Sequence, residues 1–480
     1  MRYADATERW PGCILGGSVS ATREGEAGAT RGVDMSKLGK ILKGAVGTMA
    51  LLGVAGAGYL AISPPALLKV ATNYSAKIVC SNVFIAGRDA EEVLALDVQA
   101  PGHPVLKQIS MSVDEDRQRI ETRVFGFFAP AVSQYRPGLG CTNLHEAELT
   151  TVDMADPAAT GSGIWPEGNE VADVSPAVQA VLEDTALTGQ GARAVLVLHQ
   201  GRIIGEAYGT GFDAETPLLG WSMTKTVTAG LIGTLIQSGD MALSDLGATS
   251  YPDWVQDDRA DVTVADLLGM ESGLQWNESY GDVSDVTKML YLNDDMAGFT
   301  AKQPAEAAIG STFNYSSGTS TMLSRIWQDQ VGGDSLAYPR KALFDPLGMF
   351  SAILETDATD TFVGSSYMYA TARDWARYGQ FLLQKGTWDG AQLVPEGFVD
   401  WMFEPTAASG GTYAKGHLWL EAPGEQPPFE DAVWLYGHDG QTIGIFPSRD
   451  LVILRMGLTP SKTGYSELPL IKAVIAALEG

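Results

Sequence analysis

The sequence predicts an α/β (α+β) domain: one antiparallel sheet built from both ends of the domain, flanked by helices, with an all-helical subdomain inserted between its halves. Three observations carry that expectation. Toward the N-terminal side, "ARAVLVLHQGRIIGEAYG" holds two β-rich runs that meet at Gln200 and Gly201, the pattern of a hairpin. Near the C-terminus, "AVWLYGHDGQTIGIFPSRDLVILRMGL" supplies two or three more strands, and "LPLIKAVIAALEG" closes as an amphipathic helix. Between them, from Lys225 to about residue 400, the patterns are mostly helical, so strands far apart in sequence must share one sheet. A site is expected where sheet and helical block meet.

The chain has 480 residues, enough for more than one domain or for one large domain with extensions. An apolar content of 45% and 11 tryptophans exclude wholesale disorder. Acidic residues outnumber basic ones 58 to 32, for a formal charge of −26, and no Lys/Arg cluster stands out, which argues against a nucleic-acid partner. The expected organisation is an N-terminal extension at 1–34, a signal or membrane anchor at 35–65, a leader region at 66–155, a linker at 156–189 and the main domain at 190–480. The linker expectation rests on the Gly, Ala and Asp-rich passage "DMADPAATGSGIWPEGNEVADVSP".

From Gly44 to Ile62 no residue is charged, and 19 residues at about 1.5 Å each make a helix of roughly 28 Å, close to the hydrocarbon thickness of a bilayer. Lys37, Lys40 and Lys43 precede this run without an acidic neighbour, which keeps that end cytoplasmic and exports the chain beyond the run. The run reads as a membrane span or a signal sequence. The absence of a clear A-x-A site favours an uncleaved anchor in the inner membrane, with the rest of the chain on the periplasmic or extracytoplasmic face. Residues 1–34 stand upstream of a natural start at Met35, as an artefact of start-site choice or a short cytoplasmic tail. Of three cysteines, Cys80 and Cys141 lie after the apolar run, so they are the natural disulfide pair in an oxidising compartment; two unpaired buried thiols are the other reading.

The chemistry-bearing stretch is "LLGWSMTKTVTAGLIG", in which Ser222 and Lys225 stand three residues apart at a helix start. By itself this fits a helix cap with a solvated lysine. Residues i and i+3 share a helix face, however, and a lysine shielded from water has a lowered pKa and can take the serine proton. In "GSTFNYSSGTSTMLS", Tyr315 precedes another helical run and can serve as a proton relay or simply pack on the core. In "YGHDGQTIGIFP", His438, Asp439 and Gly440 open an expected strand; Gly440 would admit a close backbone approach, and the N–H of Gln441 could face an oxyanion together with that of Ser222.

S-x-x-K, then Y-S-S, then H-D-G, in that order, resembles the serine β-lactamase and penicillin-binding protein superfamily. Supporting phrases such as "TVADLLGMESGLQW", "LFDPLGM" and "YMYATARDWARYGQFLL" look like class C β-lactamase-related hydrolases, and "GLQWNESYGDVSDVTKMLY" with "GHDGQ" looks like the 6-aminohexanoate-dimer hydrolase and esterase branch. The resemblance spans about residues 190 to 480. It implies Ser222 as nucleophile, Lys225 as its base, Tyr315 as proton relay, and the amides of Ser222 and Gln441 as the oxyanion hole. It places His438 and Gly440 in the third-motif strand, and Tyr280 where linear-amide hydrolases use a tyrosine over the substrate. Y-S-S replaces Y-x-N and H-D-G replaces K-T-G, so an amide and a fixed ammonium that grip a β-lactam are absent. The expected activity is therefore cleavage of a small-molecule ester or linear amide through an acyl-enzyme. The alternative is a penicillin-recognising protein that acylates slowly or without turnover. The histidines at 103, 145, 199, 417 and 438 lack ligand spacing, so no metal and no cofactor are expected.

Overall fold

The computed structural model describes residues 62–480 apart from 156, 158–160, 422–428 and 430, with Lys43, Gly58 and Leu60 before them. The chain divides into two units, 1–58 and 59–480, and all the helices and strands of the fold described here belong to the second. Apart from isolated positions, the apolar run 44–62 lies outside the described residues, and among the described residues no helix is long and apolar enough to cross a membrane.

The leader region opens with helix α1 (Ala66–Phe84), followed by an antiparallel four-stranded sheet of β1 (Ile109–Asp114), β2 (Arg119–Val124), β3 (Phe128–Arg136) and β4 (Gly140–Leu144) in sequential order. Helix α1 lies against β2, β3 and β4. The sulfurs of Cys80 on α1 and Cys141 on β4 are bonded at 2.00 Å, joining helix to sheet.

The main sheet has seven strands. In chain order they are β5 (Ala192–His199), β6 (Arg202–Tyr208), β7 (Tyr413–Ala414), β8 (Leu418–Trp419), β9 (Val433–Gly437), β10 (Gln441–Phe446) and β11 (Leu451–Gly457). Their spatial order is β7-β8-β9-β10-β11-β5-β6, and every pairing is antiparallel. The β5–β11 register, from Leu451 opposite His199 to Met456 opposite Ala194, is the join between distant parts of the chain. Gln200 and Gly201 form the β5–β6 turn with φ of +51° and +71°, the left-handed pair that matches strand twist in a two-residue hairpin.

Both faces of this sheet are covered. Alternation along β5 and β11 sends Leu196, Leu198, Val452 and Leu454 into the core that holds helix α2 (Thr224–Ser238), α3 (Ser317–Val331) and α4 (Ala372–Leu383). Val195, Val197 and Ile453 face the other way, against Leu470, Ile471 and Val474 of the closing helix α5 (Leu468–Glu479). The stretch 156–189, expected as a linker, is partly built into this second layer. A helix at Pro176–Leu182 starts with Pro at its first position, where its missing N–H costs nothing; Ser175 caps it by accepting from Val178 N–H. Val178 and Leu182, one turn apart, are buried beside α5.

The leader is not a separate core. Val70, Ile78, Val79, Ile120 and Val124 pack in one apolar cluster with Trp221, Trp276, Tyr291 and Tyr367 of the main domain. Trp221 immediately precedes Ser222, so the leader's packing reaches the helix start on which the predicted chemistry depends.

Candidate active site

Three segments converge. The first is the turn into α2, where a short strand Leu218–Leu219 leads through Gly220 into a 3₁₀ turn at Trp221–Met223. Trp221 has a φ of +47°, an uncommon conformation for a bulky residue, at the turn that leads into Ser222. Gly220 cannot be enlarged, because a Cβ there would collide with the Trp375 ring. A Cβ on Gly437 would likewise strike the Gly220 carbonyl, so glycine at 437 lets the third-motif hairpin press against the serine turn.

The Nζ of Lys225 stands 3.0 Å from Ser222 Oγ, 3.0 Å from Ser317 Oγ and 3.0 Å from the Ser365 carbonyl oxygen. Its side chain is 1% exposed. Burial lowers its pKa from the usual lysine range to about 8, against the opposing pull of Glu278. A neutral fraction that grows as pH rises through mildly alkaline values, held at hydrogen-bond distance from a serine hydroxyl, is what a general base requires.

The second segment leads into α3. Ser316 caps that helix by accepting from Thr319 N–H at 3.0 Å, which leaves Ser317 at its first turn facing Lys225. Tyr315 lies with its ring centroid 4.8 Å from Lys225 Nζ and packs on Trp419 and Tyr413, at centroid distances of 5.4 and 5.8 Å. The third segment is the β9–β10 hairpin. His438, Asp439 and Gly440 form its turn, and the strand begins only at Gln441, because Asp439 at φ +58° and Gly440 at φ +86° are left-handed. At Gly440 the near neighbour is the Arg455 guanidinium, whose Nη1 donates to the Gly440 carbonyl at 2.8 Å. The Gln441 side chain braces the turn: its Oε1 accepts from Gly457 N–H at 2.9 Å, and its Nε2 donates to the carbonyls of Gly457 at 2.6 Å and His438 at 3.0 Å.

Tyr280 stacks on His438 at 5.0 Å and 28°, and His438 meets the Trp221 ring edge-on at 5.6 Å. Ser222, Lys225, Tyr315, His438, Gln441 and Tyr280 are thus brought to one place, while Cys80 and Cys141 lie in the leader.

Sequence reasoning missed three members. Glu278 accepts from the Ser317 hydroxyl at 2.5 Å, Ser317 N–H at 2.9 Å, Trp276 Nε1 at 2.6 Å and the Tyr280 hydroxyl at 3.4 Å. Ser317 then links that carboxylate to Lys225, and the Ser365 carbonyl holds the amine from another loop. Ser317 could have been found, because it occupies the place of the asparagine in Y-x-N and a hydroxyl can take an amine in its stead. Glu278 carried a signal only in its spacing, between Trp276 and Tyr280. Ser365 acts through its backbone and left none. Among the described residues no group of His, Cys, Asp and Glu is arranged to hold a metal ion.

A family model described as Beta-lactamase matches residues 183–463. The 6-aminohexanoate-dimer hydrolase of Paenarthrobacter ureafaciens is 23% identical over 309 residues, covering 59% of this chain and 76% of that protein. Among solved structures, a Bacillus anthracis chain assigned to the 6-aminohexanoate-dimer hydrolases superposes with a TM-score of 0.52 at 20% identity, over 62% of this chain and 80% of the other. A family VIII carboxylesterase does so with a TM-score of 0.50 at 15% identity, over 64% of this chain and 99% of the other. The matched segment holds the seven-stranded sheet, its inserted helices and all three converging motifs; the chain belongs to the beta-lactamase family.

Proposed function

We propose that the protein is a serine hydrolase that cleaves ester or linear amide bonds of small molecules through an acyl-enzyme on Ser222. The observation that carries this reading is the buried Lys225 amine 3.0 Å from Ser222 Oγ, with its pKa lowered to about 8. Neutral Lys225 takes the proton of the Ser222 hydroxyl as Oγ bonds to the substrate carbonyl carbon. The negative charge moves to the carbonyl oxygen, where the amides of Ser222 and Gln441 act as the oxyanion hole. The bond to the leaving alcohol or amine then breaks, and that group departs with the proton returned by Lys225 by way of Tyr315. Water repeats the sequence on the acyl-enzyme, giving the carboxylic acid and free Ser222. With Ser317 in place of an asparagine and His438 in place of a lysine, esters and linear amides suit the site better than β-lactams.

The hydrolase body is assigned to the extracytoplasmic side, anchored through residues 44–62. Lys37, Lys40 and Lys43 ahead of the apolar run and the Cys80–Cys141 bond both support that placement.

A fluorophosphonate probe should label Ser222 in the intact protein and fail on Ser222→Ala. p-Nitrophenyl esters and linear ω-amino-acid amides should be turned over faster than a chromogenic cephalosporin. Label on another serine overturns the nucleophile assignment, and a stoichiometric burst without steady-state turnover overturns the hydrolase in favour of an acylated recognition protein.

A further inference from the structure

A cavity of about 300 Å³ lies between the leader region and the candidate active site. One side is made by Leu67 and Ala71 of α1 and by Leu106; the other by Trp221, Tyr280 and His438. We propose that this cavity receives an uncharged apolar chain of the substrate, so that leader residues set the chain-length preference of the hydrolase. The proposal rests on the serine hydrolase reading above and adds to it a substrate class and the residues that select it.

Four observations converge on the cavity. Its volume is at the lower end of the range for small-molecule sites, about 300 to 1,000 Å³. Its wall is linked to the reacting groups, since Trp221 precedes Ser222 in the chain and the Tyr280 hydroxyl donates to Glu278, the carboxylate that holds Ser317 against Lys225. Its wall is aliphatic and aromatic where the two sides face each other, and Asp282 and Asp439 in the lining disfavour an anionic chain end. Lys462, also in the lining, donates through Nζ to the Pro101 carbonyl at 2.7 Å, which ties the loop at 460–462 to the leader turn. The leader wall lies outside residues 183–463, the segment that matches the family.

The test uses the full chain and two substrate series, p-nitrophenyl esters from acetate to dodecanoate and acetate esters of primary alcohols from methanol to octanol. In one of the two, kcat/KM should rise about fourfold per methylene, the equivalent of about 0.8 kcal/mol per buried methylene, until the cavity is filled, and then fall. Which series responds tells whether the acyl or the alcohol side occupies the cavity. Leu67→Trp, at a half-buried lining position, should cut the longest good substrate at least tenfold while leaving methyl acetate or p-nitrophenyl acetate unchanged; Leu106→Ala should move the optimum to longer chains. A flat profile in both series, or an equal loss on short and long chains in Leu67→Trp, overturns the proposal. Calorimetric titration of Ser222→Ala with the amide that matches the responding series, octanamide for the acyl side or N-octylacetamide for the alcohol side, gives a readout that needs no turnover, and binding should weaken about tenfold when Leu67→Trp is added. Binding of that amide without ester turnover counts against the hydrolase reading alone. Turnover without binding of that amide counts against the cavity alone.

Discussion

Two buried lysines invite comparison, each on a helix beside a serine and under an aromatic ring. In the leader, Lys77 lies 3% exposed with its Nζ 3.0 Å from Ser81 Oγ and 4.2 Å from the Tyr367 ring centroid. In the candidate active site, Lys225 lies 1% exposed, 3.0 Å from Ser222 Oγ and 4.8 Å from the Tyr315 ring centroid. The difference is a carboxylate. Glu355 meets Lys77 directly at 2.5 Å and also accepts from Ser81 and from Cys141 N–H at 2.8 and 2.6 Å, so the pair is closed on itself. Lys225 reaches its carboxylate, Glu278, only through the Ser317 hydroxyl. Burial lowers the pKa of both lysines, and the adjacent anion opposes that effect directly at Lys77. A serine, a lysine and an aromatic ring therefore do not make a base. The distance to the compensating charge decides whether the lysine holds the fold together or is free to exchange a proton.

The largest expected effect breaks the comparison at the candidate active site. Ser222→Ala and Lys225→Ala should each lower kcat by about 10⁴-fold or more, and the double variant should be little worse, because residues acting as a unit are not additive. Additive losses in steady-state kinetics would separate the two roles. Next comes the leader pair, where Glu355→Ala leaves an uncompensated buried ammonium. Denaturant unfolding should show a loss of about 3–5 kcal/mol, while Lys77→Met with Glu355→Leu restores much of it. An unchanged midpoint in Glu355→Ala would mean that the pair holds nothing together.

A smaller effect of opposite sign is expected at Lys225. Its folded pKa lies below the unfolded value, so the unfolded chain binds more protons, and stability rises with pH between about 8 and the ordinary lysine range. Lys225→Met should remove that slope and raise stability near neutral pH by about 1 kcal/mol while abolishing turnover. A fall in the unfolding midpoint would contradict it. The smallest effect concerns Glu278, whose charge raises the Lys225 pKa. In wild type, kcat/KM should climb as pH rises through about 8, and Glu278→Gln should move that limb to lower pH. A limb displaced upward would assign the pKa to another group.

Much of this protein was written in local pattern. The alternation in "ARAVLVLHQGRIIGEAYG" and the Gln200–Gly201 turn specify a hairpin whatever surrounds them, because period-2 burial and left-handed turn residues are properties of the chain itself. The spacing of Ser222 and Lys225 on one helical turn is likewise local, and so was legible. The same local logic read the passage at 156–189 as linker and did not show the short helix at Pro176–Leu182, since the turn that buries Val178 and Leu182 is too short to stand out against its Gly and Asp-rich flank. It also began the strand at His438, where the positive φ of Asp439 and Gly440 makes a turn.

What the sequence by itself determined was the set of elements and the chemistry available at their ends. What only the tertiary structure decided was which groups share a space. Glu278, Ser317 and Ser365 come to Lys225 from three segments 53, 92 and 140 residues away, and Glu355 comes to Lys77 across 278. The pKa of a lysine depends on burial and on charges within a few ångströms, and neither is a function of its sequence neighbours. The identical side chain thus became a buried strut in one place and a candidate base in the other through long-range packing alone.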